Sequence, residues 1–253
     1  STAQVKAGAV HADLTLRRKI ETLHEHGVGE EAAAKALPYL KHQDRFIRYA
    51  ARIAIEGQPA SEWETKVLNA KKADTIITGA VALARSGNAS TRDALLNKLL
   101  SLDLAKLSER QKLELSRAYA LVFIRMGEPA DKNLAKRLVA SLDSQYPAKG
   151  ADLNRELSQL LVFLKAPSVI GKTLAMMDTK VESSMVVDRE ALDRNDGYGG
   201  TIKKVLANTP EIQNLHYAMS LRNLRYGWKE DQRKKYFAWY KDAATKSGGV
   251  SYG

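Results

Sequence analysis

Of the residue types that do most protein chemistry, this 253-residue chain has no cysteine and five histidines: His11, His24, His26, His42 and His216. Without cysteine it can form no disulfide, thiolate zinc site, Cys nucleophile or C-x-x-C-H haem attachment. His24 and His26 are two residues apart, a spacing that puts them on different faces of a helix, and no HExxH or acid pair accompanies them. No metal site is therefore expected. His42 fits a turn at a helix C-terminus, where an imidazole is mildly favoured, and His216 beside Tyr217 fits a helix interface. Nucleophile elbow, P-loop and dinucleotide fingerprint are all missing. The glycine cluster GYGG at 197–200 lacks the preceding strand and the following Lys-Ser/Thr of a phosphate cradle. No acid–base pair is nominated anywhere, so catalysis is not expected, and no cofactor either.

What remains is recognition chemistry. The net charge is +11, and between 202 and 246 ten Lys/Arg stand against four acids. A basic balance suits nucleic acid, an anionic surface or an acidic protein partner. Arg45, Arg48 and Arg52 fall close together, as do Arg222 and Arg225, and Arg194, Asn195 and Tyr198 lie in the turn-rich cluster around the glycines. These eight are the candidate binding residues, with Arg48 carrying a structural role as the alternative. Trp228, Tyr236, Phe237, Trp239 and Tyr240, interleaved with Arg233, Lys234 and Lys235, resemble a base-stacking surface. The simpler reading places Tyr236, Trp239 and Tyr240 on one helical face, closing the end of the fold.

The elements that must position these residues are helices in a repeat. Gly27, Gly57, Gly87 and Gly127 are separated by 30, 30 and 40 residues. That period marks a helical array. Aligned on the glycines, RFIRYAARIAIEG, DTIITGAVALARSG and ELSRAYALVFIRMG each carry an alanine seven residues earlier (Ala50, Ala80, Ala120) and a large apolar residue four earlier (Ile53, Leu83, Phe123). Small and large residues at fixed levels let adjacent helices approach and interlock. A fourth unit has Pro167 at the glycine position and a fifth closes at Gly227.

The closing glycines are expected to adopt the left-handed cap. Ser61 with Glu64 and Ser108 with Gln111 fit capping boxes, Ser90 with Asp93 a looser one, and Asp44, Asp131 and Thr209 fit N-caps. The predicted helices are 13–26, 30–41, 44–56, 61–71, 74–86, 90–103, 108–126, 131–142, 152–165, 168–177, 211–225 and 229–246. A short helix is expected at 201–208, and no sheet. On 44–56, Phe46, Ile47, Ala50, Ile53 and Ala54 form the apolar stripe, with Arg45, Arg48, Arg52 and Glu56 off it. Periodicity fails between 179 and 210, an irregular insertion of the kind more often functional than decorative. No apolar run approaches the roughly 18 residues of a membrane span, and 1–10 does not read as a signal peptide.

The stretch HQDRFIRYAARIAIE at 42–56 resembles a HEAT repeat, in which a turn Asp and an early Arg of the second helix tie successive repeats. Those are Asp44 and Arg48 here; the next unit keeps Asp74 but has Thr78 at the arginine level. With LNREL at 153–157, GYGG, IQNLHYA at 212–218, LRNL at 221–224 and QRKKYFAW at 232–239, the order of motifs is similar to HEAT regions of large secreted planctomycete and verrucomicrobial proteins. There the segment lies between a sugar-dehydrogenase-like β-propeller and a cytochrome c domain. The resemblance implies an all-α, right-handed solenoid of about five HEAT-like helical pairs, a single domain over 1–253 whose C-terminal helices, 211–253, cap it, and one piece of a larger periplasmic or extracellular polypeptide. Propeller and haem motif are absent from this sequence, so haem is expected only in a separate domain. The implied function is a non-catalytic scaffold that docks or spaces catalytic or electron-transfer domains, its concave face built by second helices. The alternative is a nucleic-acid-binding HEAT-like protein of the DNA-glycosylase type.

Overall fold

The computed structural model describes residues 12–24, 30–179 and 208–246. These contain twelve α-helices and no strand. They are α1 (Ala12–Glu21), α2 (Glu30–Ala36), α3 (Arg45–Glu56), α4 (Glu64–Leu68), α5 (Ala73–Ser86), α6 (Arg92–Leu100), α7 (Glu109–Met126), α8 (Lys132–Asp143), α9 (Ala151–Phe163), α10 (Val169–Asp178), α11 (Ile212–Leu221) and α12 (Glu230–Ala243). The helix expected at 201–208 lies outside the described residues but for Asn208. The chain divides into two compact units, Ser1–Leu138 and Val139–Gly253.

Several helix boundaries follow directly from local chemistry. The Asp44 carboxylate accepts the backbone N–H groups of Phe46 at 2.7 Å and Ile47 at 3.0 Å and starts α3. Ser108 and Gln111 form the expected reciprocal box at the start of α7. Asp131 accepts from Asn133 N–H at 2.8 Å before α8. Other starts differ from expectation. Ser61 lies in a 3₁₀ turn, Ala60–Glu62, and α4 begins only at Glu64 with no side-chain cap. Asn88, not Ser90, opens the turn before α6. Asp93 instead reaches the next loop and accepts the N–H groups of Ala130 and Asp131 at 3.0–3.1 Å. Burial works against its charge, but Arg92 and these two donors outweigh it and hold the carboxyl below its usual range. At α11 the cap is Glu211, two residues beyond Thr209, accepting from Gln213 and Asn214.

Of the closing glycines, Gly127 and Gly227 have φ +87°, whereas Gly57 and Gly87 have φ −73° and −81° and are not left-handed. In the fourth unit the left-handed residue is Lys165, with φ 55°. There Ala166 N–H bonds to Leu161 O and Lys165 N–H to Val162 O, a cap that closes the helix after Phe163, four residues ahead of Pro167.

In the first unit, α1 packs on α3, α3 on α5 and α5 on α7, while α4 lies against α5 and α6. Alanines make this spacing possible: Ala50, Ala51, Ala54, Ala80, Ala84 and Ala118 are all buried. At Gly79 a Cβ would lie 2.6 Å from Val67 Cγ1, so α4 and α5 meet there with no room for a methyl group. Larger side chains fill the remaining space: Leu83, Leu95, Leu96, Leu99, Tyr119 and Val122, each contributing about 1.5–3 kcal/mol by burial. Trp63 is fully buried, its indole N–H directed to Gln58 O at 3.3 Å. Of the aligned levels, Ala50, Ala80, Leu83 and Phe123 are buried, and Ile53 and Ala120 half-buried.

In the second unit, α9 packs on α11 and on α10, and α10 on α12. Polar ties hold these pairs together. Gln213 donates to Ala151 O at 3.0 Å and to the Tyr217 hydroxyl at 2.7 Å, and accepts from Arg155 at 2.9 Å. The buried Tyr146 and Thr173 hydroxyls bond at 2.7 Å. No helix among the described residues is long and apolar enough to cross a membrane.

Candidate functional site

The first candidate surface is an open groove of about 520 Å³ lined by residues of α3, α5 and α7. Arg45, Arg48 and Arg52, nominated from sequence, all reach it, one helical turn apart, and are joined by Phe46, Tyr49, Thr78, Glu114 and Arg117. Phe46 is 51% exposed and Tyr49 57%. Phe46 thus leaves the buried stripe to which the sequence assigned it. The buried face of α3 is Ile47, Arg48, Ala50, Ala51, Ala54 and Ile55.

Arg48 takes the interior place because both terminal nitrogens of its guanidinium are answered. One nitrogen donates to the carbonyls of His42 at 2.8 Å and Gln43 at 2.9 Å, the other to Glu114 on α7 at 2.9 Å. A charge this buried is tolerated only when so paired. Glu114 also accepts from Arg110, and Arg110 from the same fork reaches Asp74 at 2.7 Å. The Asp74 carboxylate pushes the Arg110 guanidinium up from its ordinary value; part-burial opposes this and Glu114 adds to it. With Thr78 at the arginine level of its own helix, Asp74 is tied instead from α7, with Gln111 adding a bond at 3.0 Å. A chain of charges therefore joins α3, α7 and α5 beneath the groove. His42 serves the same corner by accepting the Asp44 N–H at 3.1 Å.

The groove face itself presents cations over rings. The Arg45 guanidinium lies 4.7 Å from the Phe46 ring centre and Arg52 lies 4.9 Å from that of Tyr49. Arg52 is also bound to Glu56, which holds Arg85 at 3.0 Å. Such pairs add about 0.5–1 kcal/mol each at exposed sites and keep flat surfaces in place. Among the described residues the one carboxylate of the lining, Glu114, is already answered by two arginines. The surface can donate hydrogen bonds and stack.

The second surface belongs to the second unit. Arg222 and Arg225 line a pocket of about 600 Å³ together with Leu224, Trp228, Arg233, Tyr236, Phe237 and Tyr240. Tyr236 is buried, and its hydroxyl donates to Ala218 O at 2.8 Å. Trp228 lies 4.9 Å from it, ring centre to ring centre, and Tyr240 meets it edge-on at 5.0 Å. Burial pushes the Tyr236 hydroxyl above its ordinary range. Trp239 meets Tyr240 edge-on at 5.1 Å, so Tyr236, Trp239 and Tyr240 form one run of ring contacts on the last helix.

Arg194, Asn195 and Tyr198 lie outside the described residues. Among the described histidines, His24 contacts Ala50 O at 2.9 Å and His216 contacts the Gln159 amide at 3.2 Å. Among the described residues no group of three His, Asp or Glu could hold a metal ion. Sequence reasoning missed Phe46, Tyr49 and Arg117 as groove residues. The signal was the i, i+4, i+7 spacing of Arg45, Tyr49 and Arg52, which already places an aromatic between two arginines on one helical face.

No family model, curated protein or solved structure matches this chain.

Proposed function

We propose that this chain is a HEAT-like α-solenoid segment that works as a non-catalytic docking module, its α3–α5–α7 groove holding an acidic, ring-bearing segment of a partner polypeptide. The observation that carries the reading is the groove itself. Phe46 and Tyr49 stand exposed beside Arg45 and Arg52, on helices tied to one another by the Arg48–Glu114–Arg110–Asp74 chain. Large exposed apolar rings beside fixed cations suit a protein partner, in which aromatic and arginine contacts dominate binding.

The solenoid part of the reading is supported by the packing order. Alternate helices contact one another within the first unit, and α9 pairs with α11 as α10 does with α12. The right-handed repeat, the single domain over 1–253 with its capping C-terminal helices, and the place within a larger exported protein are part of the same proposal. The partner would be a catalytic or electron-transfer domain of the same or an associated polypeptide.

The nucleic-acid reading is weaker because Arg48 and Arg52 are already bound to Glu114 and Glu56. A phosphate track needs cations free to release counterions. The test is fluorescence anisotropy at physiological salt with two probes, a labelled peptide of alternating Glu and Phe and a labelled mixed-sequence DNA duplex. Saturable peptide binding that falls about tenfold in Phe46→Ser and Tyr49→Ser, with no duplex binding, is expected from the loss of two exposed ring anchors. Tight duplex binding that weakens steeply with salt would replace the docking module with a nucleic-acid reader.

A further inference from the structure

The pocket of the second unit has an imbalance of charge. Several arginines elsewhere are answered by carboxylates: Arg17 by Glu21, Arg48 by Glu114, Arg85 by Glu56 and Arg110 by Asp74. Arg222, Arg225 and Arg233 line one pocket, and among the described residues no Asp or Glu lines it with them. Among the described residues none of the three has a carboxylate partner; Arg222 donates to Met219 Sδ at 3.7 Å. Three like charges around one cavity repel one another, and an anion placed among them relieves that repulsion.

The rings constrain what that anion carries. Trp228 spends its indole N–H on Leu224 O at 2.8 Å, and Tyr236 spends its hydroxyl on Ala218 O. Their polar ends are therefore turned to the backbone, and what they can offer a ligand is ring surface. Phe237 adds a ring that is mostly exposed. The cavity volume, about 600 Å³, falls in the range of about 300–1,000 Å³ that small molecules occupy. A guanidinium matches a planar carboxylate or a phosphate with two parallel hydrogen bonds.

We propose that this pocket binds a small aromatic anion, a flat ring system bearing a carboxylate or phosphate. The ring lies against Trp228, Tyr240 and Phe237, and its acid group is held by Arg222 and Arg225. The site is separate from the groove of the first unit and stands whether or not that groove docks a protein.

The test is calorimetric titration of the full chain with naphthoate, adenosine monophosphate, uncharged naphthol and an oligothymidylate. The acids should bind at one saturable site and naphthol at least about tenfold more weakly, the scale of one charge-assisted contact. A double variant, Arg222→Gln with Arg225→Gln, should weaken the acids about tenfold or more and leave naphthol unchanged. Both residues are exposed, and circular dichroism checks that the helices persist. Absence of saturable binding for both acids, equal affinity for naphthol, or indifference to the double variant would each overturn the site. An oligothymidylate that binds more tightly than either acid would assign the pocket to single-stranded nucleic acid instead.

Discussion

At the scale of single residues, Arg48 and His216 carry the clearest consequences. Arg48 satisfies two carbonyls and one carboxylate from a buried position. Arg48→Ala should cost about 2–4 kcal/mol, because carbonyl groups and a charge are left without their donor; urea unfolding measures it, and a change under about 0.5 kcal/mol would mean that water takes over the role. His216 is half-buried beside Tyr217. Burial is the largest influence on it and lowers its proton affinity below the ordinary value of 6.5. Folded protein therefore binds the proton less readily than unfolded chain. The contribution of His216 is full above about pH 6.5 and is lost as pH falls through the lower folded value. His216→Gln, which can keep a hydrogen bond to Gln159, should lose less stability than the wild type between about pH 7.5 and about pH 5.5. Equal losses in urea midpoint would show that the imidazole is not the titrating group.

At the scale of the helix, the packing between elements sets the tolerances. Ala80 is fully buried on α5. Ala80→Leu should overpack that interface and destabilise by about 1–3 kcal/mol, and an unchanged urea midpoint would mean that the repeat alignment places the wrong residue at the contact. Gly127 ends α7 with φ +87° and ψ −173°, where the nearest side chain is 3.8 Å from an added Cβ. The cost of Gly127→Ala should therefore be conformational, about 1–3 kcal/mol, since space is not limiting; thermal unfolding reads it. The helix ends were legible in the sequence where a cap acts within three residues, as at Asp44, Ser108 and Asp131. They were not legible at Ser61 or Thr209, because 3₁₀ turns and the Glu211 carboxylate offered the backbone an alternative of similar local energy.

At the scale of the molecule, each unit has its own pattern of support. In the first unit α5 touches α3, α4, α6 and α7, whereas α1 buries only Ile20. Hydrogen exchange should therefore be slowest in α5 and α7 and fastest in α1; uniform protection across these helices would contradict this layering. The sequence by itself determined the all-helical class and most helix boundaries of the described residues, because these depend on periodicity and on hydrogen bonds that close within a turn. It also picked out Arg45, Arg48, Arg52, Arg222 and Arg225 as the polar residues of interest. Only the tertiary structure decided what each arginine does. Arg48 goes inward because Glu114 waits 66 positions away, and Phe46 turns outward because that guanidinium and Ile47 take its place in the core. Arg222, Arg225 and Arg233 remain uncompensated among the described residues because folding brings a loop and a helix together without a carboxylate between them. Pairing across such distances depends on which helices pack, and no local pattern encodes it.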